Sequence, residues 1–98
     1  AVGSIAGGAA MKYSDERLKV GLRKVGRAAG LDIFSFRWSK LAQANGAHAR
    51  VEVSVMAQDA ERIYPEAVGE SEGFKTINLA RLPMSVVSEM NRLGGLHA

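Results

Sequence analysis

The 98-residue sequence has no cysteine, only two prolines and only six aromatic residues. The missing thiols exclude disulfide bonds, thiol catalysis and thiolate metal sites. Hydrophobic residues still make up 47% of the sequence, so much of the apolar content is alanine and valine rather than large rings. A domain of this length buries a modest fraction of its surface. We therefore expect it to gain stability by associating with further subunits.

Long hydrophobic runs are also missing. No stretch approaches the ~20 apolar residues of a membrane-spanning helix, and the Ala/Gly-rich start lacks the basic leader and apolar core of a secretion signal. Because the sequence begins at Ala1 without an initiator methionine, we interpret it as part of something longer. Residues 1–13 are predicted to be the end of an upstream fibre or stalk region, and residues 14–98 the domain itself.

Charge is distributed unevenly along the chain. Residues 11–50 contain nine Lys/Arg and three Asp/Glu, whereas residues 51–98 contain four and seven. A basic half could bind nucleic acid, but the interleaved aromatic and basic residues typical of RNA-binding surfaces are absent. We favour halves, or neighbouring subunits, that face each other with complementary charge, and we expect no nucleic-acid or membrane partner. His48 and His97 are isolated, so neither a metal site nor a cofactor is expected.

Hydrophobic periodicity indicates a mixture of strands and short helices. "LDIFSFRW" is typical of a strand with a buried aromatic row, and "RVEVSVMA" of a half-exposed strand with its valines facing inward. The sequence predicts turns at 26–30 and at Asn45-Gly46, and an acidic loop at "GESEG". The predicted class is α+β, with a small mixed antiparallel sheet and short helices. Strands are predicted at 18–25, 31–38, 50–57 and 74–82, and helices at 57–67 and from Pro83 to the Gly94-Gly95 pair.

Four segments together resemble a known family. "YSDERLK", "FSFRW", "VMAQDAERIYPEAV" and "INLARLPM" have the order and spacing of peptidase S74, the intramolecular chaperone auto-processing domain of phage tail fibres, tailspikes and endosialidases. The resemblance covers residues 14–84. The sequence departs from the family at Ser54, where glycine is common, and in the short region after Pro83, which leaves the extent of a C-terminal helical bundle open.

This resemblance implies both an assembly and a function. The domain would fold as an intertwined homotrimer, drive the trimerisation and folding of the fibre or tailspike before it in the same chain, and then cut itself off. The protein would be a virion tail component made in the cytoplasm of a bacterial host, with the domain released after cleavage. An alternative is a trimerisation module that does not cleave and is retained at the fibre tip.

The resemblance also implies a site. Ser14 and Lys19 correspond to the catalytic dyad of the family, and the cleaved bond would join Tyr13 to Ser14. Asp15, Arg17 and Leu18 complete the motif. Backbone amides, Gln58 or Asn78 are candidates for stabilising the oxyanion, and Gln58 could equally be structural.

The residues themselves are compatible with this chemistry. A lysine can activate a serine hydroxyl only if burial or nearby cations lower the lysine pKa; Arg17, Arg23 and Lys24 would act in that direction, whereas Asp15 and Glu16 would oppose it. Residues five apart do not share a strand or helix face, so a turn at Asp15-Glu16 must intervene. Without the family resemblance, Ser14 would also be a good helix N-cap.

Overall fold

The computed structural model describes residues 11–94, without the side chains of Met11 and Lys12. Of residues 1–13, which are interpreted as the end of an upstream region, residues 1–10 lie outside this range, as do Gly95 and His97. The strands are β1 Met11–Tyr13, β2 Lys19–Ala28, β3 Leu31–Trp38, β4 Glu52–Ser54, β5 Val68–Ser71 and β6 Phe74–Asn78. The helices are α1 Lys40–Ala44, α2 Ala57–Ile63 and α3 Met84–Arg92, with single 3-10 turns at Glu16–Leu18, Pro65–Ala67 and Leu79–Arg81.

The six strands form two antiparallel sheets. One has the order β1-β6-β5 and the other the order β2-β3-β4. The prediction of an α+β domain with antiparallel strands and short helices is confirmed, although the strands divide between two sheets where one was expected. The intertwined homotrimer stays a prediction, because the structure contains a single chain. No helix within the described range is long and apolar enough to cross a membrane.

The long β2-β3 hairpin corrects the predicted turn at 26–30. Strand β2 continues to Ala28, and the chain reverses only at Ala29 and Gly30, which have φ angles of 49° and 87°. Two irregularities interrupt the β2-β3 register, between Val20 and Arg23 and between Lys24 and Gly26. Such bulges change which face each side chain occupies. The apolar residues that alternate along β2 in the sequence therefore do not form one buried face, and Val20 is half exposed.

The acidic "GESEG" segment is a tight hairpin rather than a loop. Ser71 pairs with Phe74 across Glu72 and Gly73, whose φ angles are 56° and 81°. Two consecutive positive φ angles are typical of a type I′ turn, but glutamate seldom occupies the first of these positions, which is why the turn was missed. Strand β6 also ends earlier than predicted, at Asn78, where the Leu79–Arg81 turn begins.

Helices α1, α2 and α3 are short, and a side chain caps the first of them. The sequence predicted α2 and α3 but not α1, whose five residues are too few to establish a period. The hydroxyl of Ser39 caps α1 by accepting from the backbone N–H of Ala42. Helix α3 follows Pro83 and buries Val86 and Met90, as its periodicity predicted.

Strand β3 separates two buried clusters. Leu31 and Ile33 point to one side, and Phe36 and Trp38 to the other, where the predicted aromatic core is confirmed. Phe34 is only half-buried. The aliphatic cluster consists of Leu31, Ile33, Val53, Val55, Ala60, Ala67, Ile77, Leu82, Val86 and Met90. The aromatic cluster consists of Tyr13, Leu18, Phe36, Trp38, Ala42, Ala47 and Met56.

Candidate active site

Three polar residues are buried together next to the aromatic cluster. Ser14 and Asp15 are fully buried and Lys19 is 6% exposed, although lysine and aspartate are rarely buried. The chain makes a 3-10 turn at Glu16–Leu18, in which the carboxylate of Asp15 accepts from the backbone N–H of Arg17. This turn, one residue later than the sequence suggested, returns the chain so that Lys19 faces Ser14.

Ser14 and Lys19 are in direct contact. The Lys19 Nζ donates to Ser14 Oγ at 3.1 Å, to the backbone oxygen of Ser14 at 3.1 Å and to the backbone oxygen of Val55 at 3.0 Å. The hydroxyl of Ser14 donates to the same Val55 oxygen at 2.8 Å. The Nζ also lies over two rings, 4.6 Å from the centroid of Phe36 and 5.8 Å from that of Trp38. The hydroxyl and the amine therefore share an acceptor inside a largely apolar wall.

The peptide bond between Tyr13 and Ser14 is held between a strand and a helix start. Tyr13 pairs with Thr76 on β6, and the backbone N–H of Ser14 donates to the Lys75 oxygen at 3.1 Å. On the other side, the backbone N–H of Ala57 at the start of α2 donates to the Ser14 oxygen at 2.9 Å. The backbone before and after this bond is thus fixed by hydrogen bonds.

Asp15 anchors the loop that carries the site. Its Oδ1 accepts from Arg17 Nε, from the Arg17 backbone and from Gln58 Nε2 at 2.9–3.0 Å. Its Oδ2 accepts from Arg17 Nη2 and from the Lys75 backbone N–H, both at 2.8 Å. Burial, the largest single influence, raises the pKa of Asp15, but the hydrogen bonds from Arg17, the Lys75 backbone and Gln58 together hold that pKa well below its usual range. Asp15 is therefore an ionised structural anchor.

The cations that the sequence placed around Lys19 have other partners or lie outside. Arg17 binds Asp15, and its guanidinium lies over the ring of Phe74. Lys24 pairs with Asp32 at 3.1 Å, and Arg23 is exposed on β2. The Lys19 amine itself contacts the backbone oxygens of Ser14 and Val55, the Ser14 hydroxyl and the rings of Phe36 and Trp38.

The two amide candidates for the oxyanion occupy different places. Gln58 makes two hydrogen bonds to the segment that follows Ser14. Its amide group donates to the Asp15 carboxylate, and its Oε1 accepts from the backbone N–H of Glu16 at 2.9 Å. Asn78 lies opposite Met11, about 10 Å along the strand from Ser14. Its side chain accepts from the Ala80 backbone and caps the following turn. The structure thus brings Gln58 next to Asp15 and keeps Asn78 outside this group.

Sequence reasoning missed a buried carboxylate beneath the site. Glu52 was expected on the exposed face of its strand, but it is buried, as is Ser54. Glu52 Oε1 accepts from the indole N–H of Trp38 at 3.1 Å and lies 2.8 Å from His48 Nε2. The indole ring of Trp38, one of the two rings near the Lys19 amine, is therefore hydrogen-bonded to a buried carboxylate. The only hint in the sequence was a charged residue inside a valine-rich strand.

Within residues 11–94, no group of three or more His, Cys, Asp or Glu side chains could hold a metal ion. A family model described as Peptidase_S74, chaperone of endosialidase, matches residues 14–69. The match covers more than half of the sequence and begins at Ser14. Comparisons with curated proteins and with solved structures gave no significant match.

Proposed function

The chain belongs to the peptidase S74 family, the chaperone of endosialidase, and on this premise we propose that it is an intramolecular chaperone that cuts its own chain between Tyr13 and Ser14. The observation that carries the proposal is the buried 3.1 Å contact between Ser14 Oγ and Lys19 Nζ. A serine hydroxyl beside a lysine amine in a water-poor site is an established variant of serine-nucleophile chemistry.

The proposed reaction begins when Lys19, in its neutral form, takes the hydroxyl proton of Ser14. The Ser14 oxygen then bonds to the carbonyl carbon of Tyr13, and the bond from this carbon to the Ser14 nitrogen breaks. Lys19 returns the proton to the leaving nitrogen, which becomes an amine, and Tyr13 is left as an ester on Ser14. Water hydrolyses the ester to a carboxylate on Tyr13 and the original hydroxyl. Each chain reacts once, because it consumes its own substrate.

The setting of Lys19 supports a role as the base. Burial disfavours the charged ammonium, whereas the oxygen acceptors and the ring faces of Phe36 and Trp38 favour it. In the arrangement described above, the Ser14 hydroxyl donates its proton to the Val55 oxygen. The reaction therefore requires this hydroxyl to rotate toward Lys19 after the amine has lost a proton, and assembly is a step at which that change could occur.

We further propose that the active assembly is a homotrimer that drives folding of a fibre or tailspike segment before it in the same chain. Val20, Leu22 and Val25 on β2 form an exposed apolar set, which we name the β2 patch. A cavity of about 290 Å³ beside Val20 is also lined by the exposed Val51. Apolar surface of this kind is typical of protein contacts, and the opposite charges of the two halves could complement each other between subunits.

We also propose a place for this protein in a phage tail, as the resemblance of its sequence motifs implies. The proposal is a virion tail component, made in the cytoplasm of a bacterial host, whose C-terminal domain is released after cleavage. No cofactor, nucleic acid or membrane takes part in the proposed reaction. The partners are two further copies of the chain and the upstream segment.

One observation favours a second candidate, a trimerisation module that is retained without cleavage. The Lys19 Nζ donates to three oxygens, as expected of a protonated amine that only holds the loop together. In that case Ser14 and Lys19 would be structural, and the chain would remain whole.

Intact masses and native masses of the 98-residue chain distinguish these candidates. Cleavage predicts a domain that begins at Ser14 and a fragment that ends at Tyr13, and both should be absent from Ser14→Ala and Lys19→Arg chains. The matched control is Lys40→Arg, which changes an exposed lysine at the start of α1. A parent chain that stays whole as a trimer would support the retained module and exclude the protease.

A further inference from the structure

The segment before the proposed cut occupies a defined binding site. Strand β1 lies at the edge of its sheet and is paired with β6 through Met11↔Asn78, Lys12↔Ile77 and Tyr13↔Thr76. An extended segment added to a sheet edge gains its affinity from main-chain hydrogen bonds and its selectivity from side-chain pockets. Residues 11–13 have this arrangement, with Tyr13 as the described side chain.

Tyr13 is anchored at both ends of its side chain. The residue is 7% exposed and belongs to the aromatic cluster together with Phe36 and Trp38. Its hydroxyl donates to Ser71 Oγ at 3.0 Å, so the β5-β6 hairpin recognises the phenol group. Tyrosine in a partly buried site usually requires such a partner. A phenylalanine would fill the ring space without this bond, and a small residue would leave a void.

Two rings of the cluster that contains Tyr13 also lie next to the Lys19 amine. Phe36 and Trp38 belong to the cluster that buries Tyr13, and both lie under Nζ. Removing the Tyr13 ring would therefore disturb the wall that excludes water from the amine. The side chain before the cut and the proposed base are thus both packed on the aromatic cluster.

Resting on the function proposed above, we propose that the β6 edge and the aromatic cluster form a binding site for an extended peptide ending in tyrosine. The site selects Tyr13 for cleavage and holds the strand after the cut, so that the release of the domain proposed above waits for the strand to leave the β6 edge. The reaction leaves a carboxylate on Tyr13 and a free amine on Ser14 at the same place, next to the Lys19 amine. The backbone pairs, the buried ring and the hydroxyl bond remain available to the product, and opposite charges face each other across the cut.

Cleavage rates of Tyr13 and Ser71 variants test the selection. Tyr13→Phe should slow cleavage about threefold to tenfold, since it loses one hydroxyl bond, and Tyr13→Ala should slow it about a hundredfold or more. Ser71→Ala should match Tyr13→Phe, and the double variant should be no slower than either single one, because both remove the same bond. Tyr64→Phe, which removes a hydroxyl bonded to the Ala29 oxygen, is the matched control and should cut at the parent rate.

Native mass spectra of the cut parent test retention. The fragment 1–13 should remain bound to the domain, and it should dissociate at least about tenfold faster from the Tyr13→Ala chain. Equal cleavage rates for the parent and Tyr13→Ala, or equally fast loss of the fragment from both, would overturn the proposal.

A separate measurement keeps this inference testable if no chain cuts itself. In the full Ser14→Ala chain, hydrogen exchange at the amides of residues 12–14 should be slow and should become at least about tenfold faster with Tyr13→Ala. Tyr13→Phe and Ser71→Ala should each give a smaller, matching increase. Rapid exchange in all of these chains would exclude a docked strand, whatever the fate of the protease proposal.

Discussion

The two buried clusters of this small domain differ in what they bury. The aliphatic cluster contains only apolar side chains, from three strands, two helices and the segments between them. The aromatic cluster borders a group of buried polar residues that includes the charged side chains of Asp15, Lys19 and Glu52. Burying charged groups costs stability unless each is paired and hydrogen-bonded.

This difference separates the cluster that stabilises the fold from the one that is organised for chemistry. A uniformly apolar interior gains stability from close packing, whereas buried charges of this kind are concentrated at functional sites. Changes in the aliphatic cluster should therefore alter stability first. Changes around the aromatic cluster should alter cleavage, with smaller effects on stability.

The largest expected effect is a loss of cleavage, without a loss of folding, when Lys19 is replaced. Lys19→Arg keeps a cation over the rings, but a guanidinium stays protonated and cannot act as a base. Cleavage should fall by at least about a thousandfold, measured as the fraction cut over time by intact mass. The circular dichroism spectrum should remain that of the parent. A variant that retains a tenth of the parent rate would contradict a role for Lys19 as base.

The next largest effect is on stability, at Ile33 in the aliphatic cluster. Ile33 is fully buried, so Ile33→Ala should lower the free energy of unfolding by about 2–5 kcal/mol. Met84→Ala, which trims a side chain that is 81% exposed on α3, should change it by less than about 0.5 kcal/mol. Denaturant unfolding at one fixed chain concentration measures both. Equal losses would show that the aliphatic cluster does not dominate stability.

A smaller loss of unfolding free energy is expected at Asp15, which anchors the segment that carries Ser14 and Lys19. Asp15→Asn keeps the size of the side chain but removes the charge that binds Arg17 and the Lys75 N–H, and should cost about 1–3 kcal/mol. Asp59→Asn is the control, because Asp59 pairs with Arg62 at the surface and should cost less than about 1 kcal/mol. If the two variants unfold alike, Asp15 is not an anchor.

Because of the Asp15 carboxylate, we expect the free energy of unfolding to fall in acid. The pKa of Asp15 is lowered in the folded chain. As the pH falls, Asp15 is therefore protonated in the unfolded chain, near pH 4, before it is protonated in the folded chain. The contribution of Asp15 is therefore fully present above about pH 4 and decreases as the pH falls toward the folded pKa. The difference in unfolding free energy between the parent and Asp15→Asn should shrink from pH 6 to pH 2. A difference that stays constant over this range would contradict the lowered pKa.

The smallest effect is expected at Thr76, which lies opposite Tyr13. Its hydroxyl is buried and has no hydrogen-bond partner within the described part of the chain. Thr76→Val replaces this hydroxyl by a methyl group and should leave stability unchanged or raise it by up to about 1 kcal/mol. Thermal unfolding compares the two chains. A clear loss of stability would indicate a partner for the hydroxyl, such as an ordered water.

Local patterns were sufficient for much of the fold. The strands β2, β3 and β6, the helices α2 and α3, and the burial of Phe36 and Trp38 follow from periodicity. The helix α1 and the hairpin at Glu72 and Gly73 were missed, because one is too short for a period and the other has an unusual turn residue. The burial of Glu52 could not be predicted, since its partners Trp38 and His48 are brought to it by sheet pairing and a loop.

The site was accessible mainly through the family resemblance. The spacing of Ser14 and Lys19 alone left their contact undetermined, because it depends on a turn that Asp15 caps and on Gln58, 43 residues away. The cations expected around Lys19 were assigned from closeness in sequence, yet Arg17 and Lys24 bind other carboxylates. The anchoring of Tyr13 by Ser71 joins residues 58 positions apart, which no local pattern could reveal.

The most direct test of the central claim is to trap the proposed ester with hydroxylamine in the full chain. If Ser14 attacks the carbonyl of Tyr13, hydroxylamine should speed cleavage and yield a fragment 1–13 that ends in a hydroxamate, distinguished by mass from the carboxylate that water produces. Ser14→Ala should give neither product. A parent chain that stays whole in hydroxylamine, or one that is cut without any hydroxamate at Tyr13, would contradict the account.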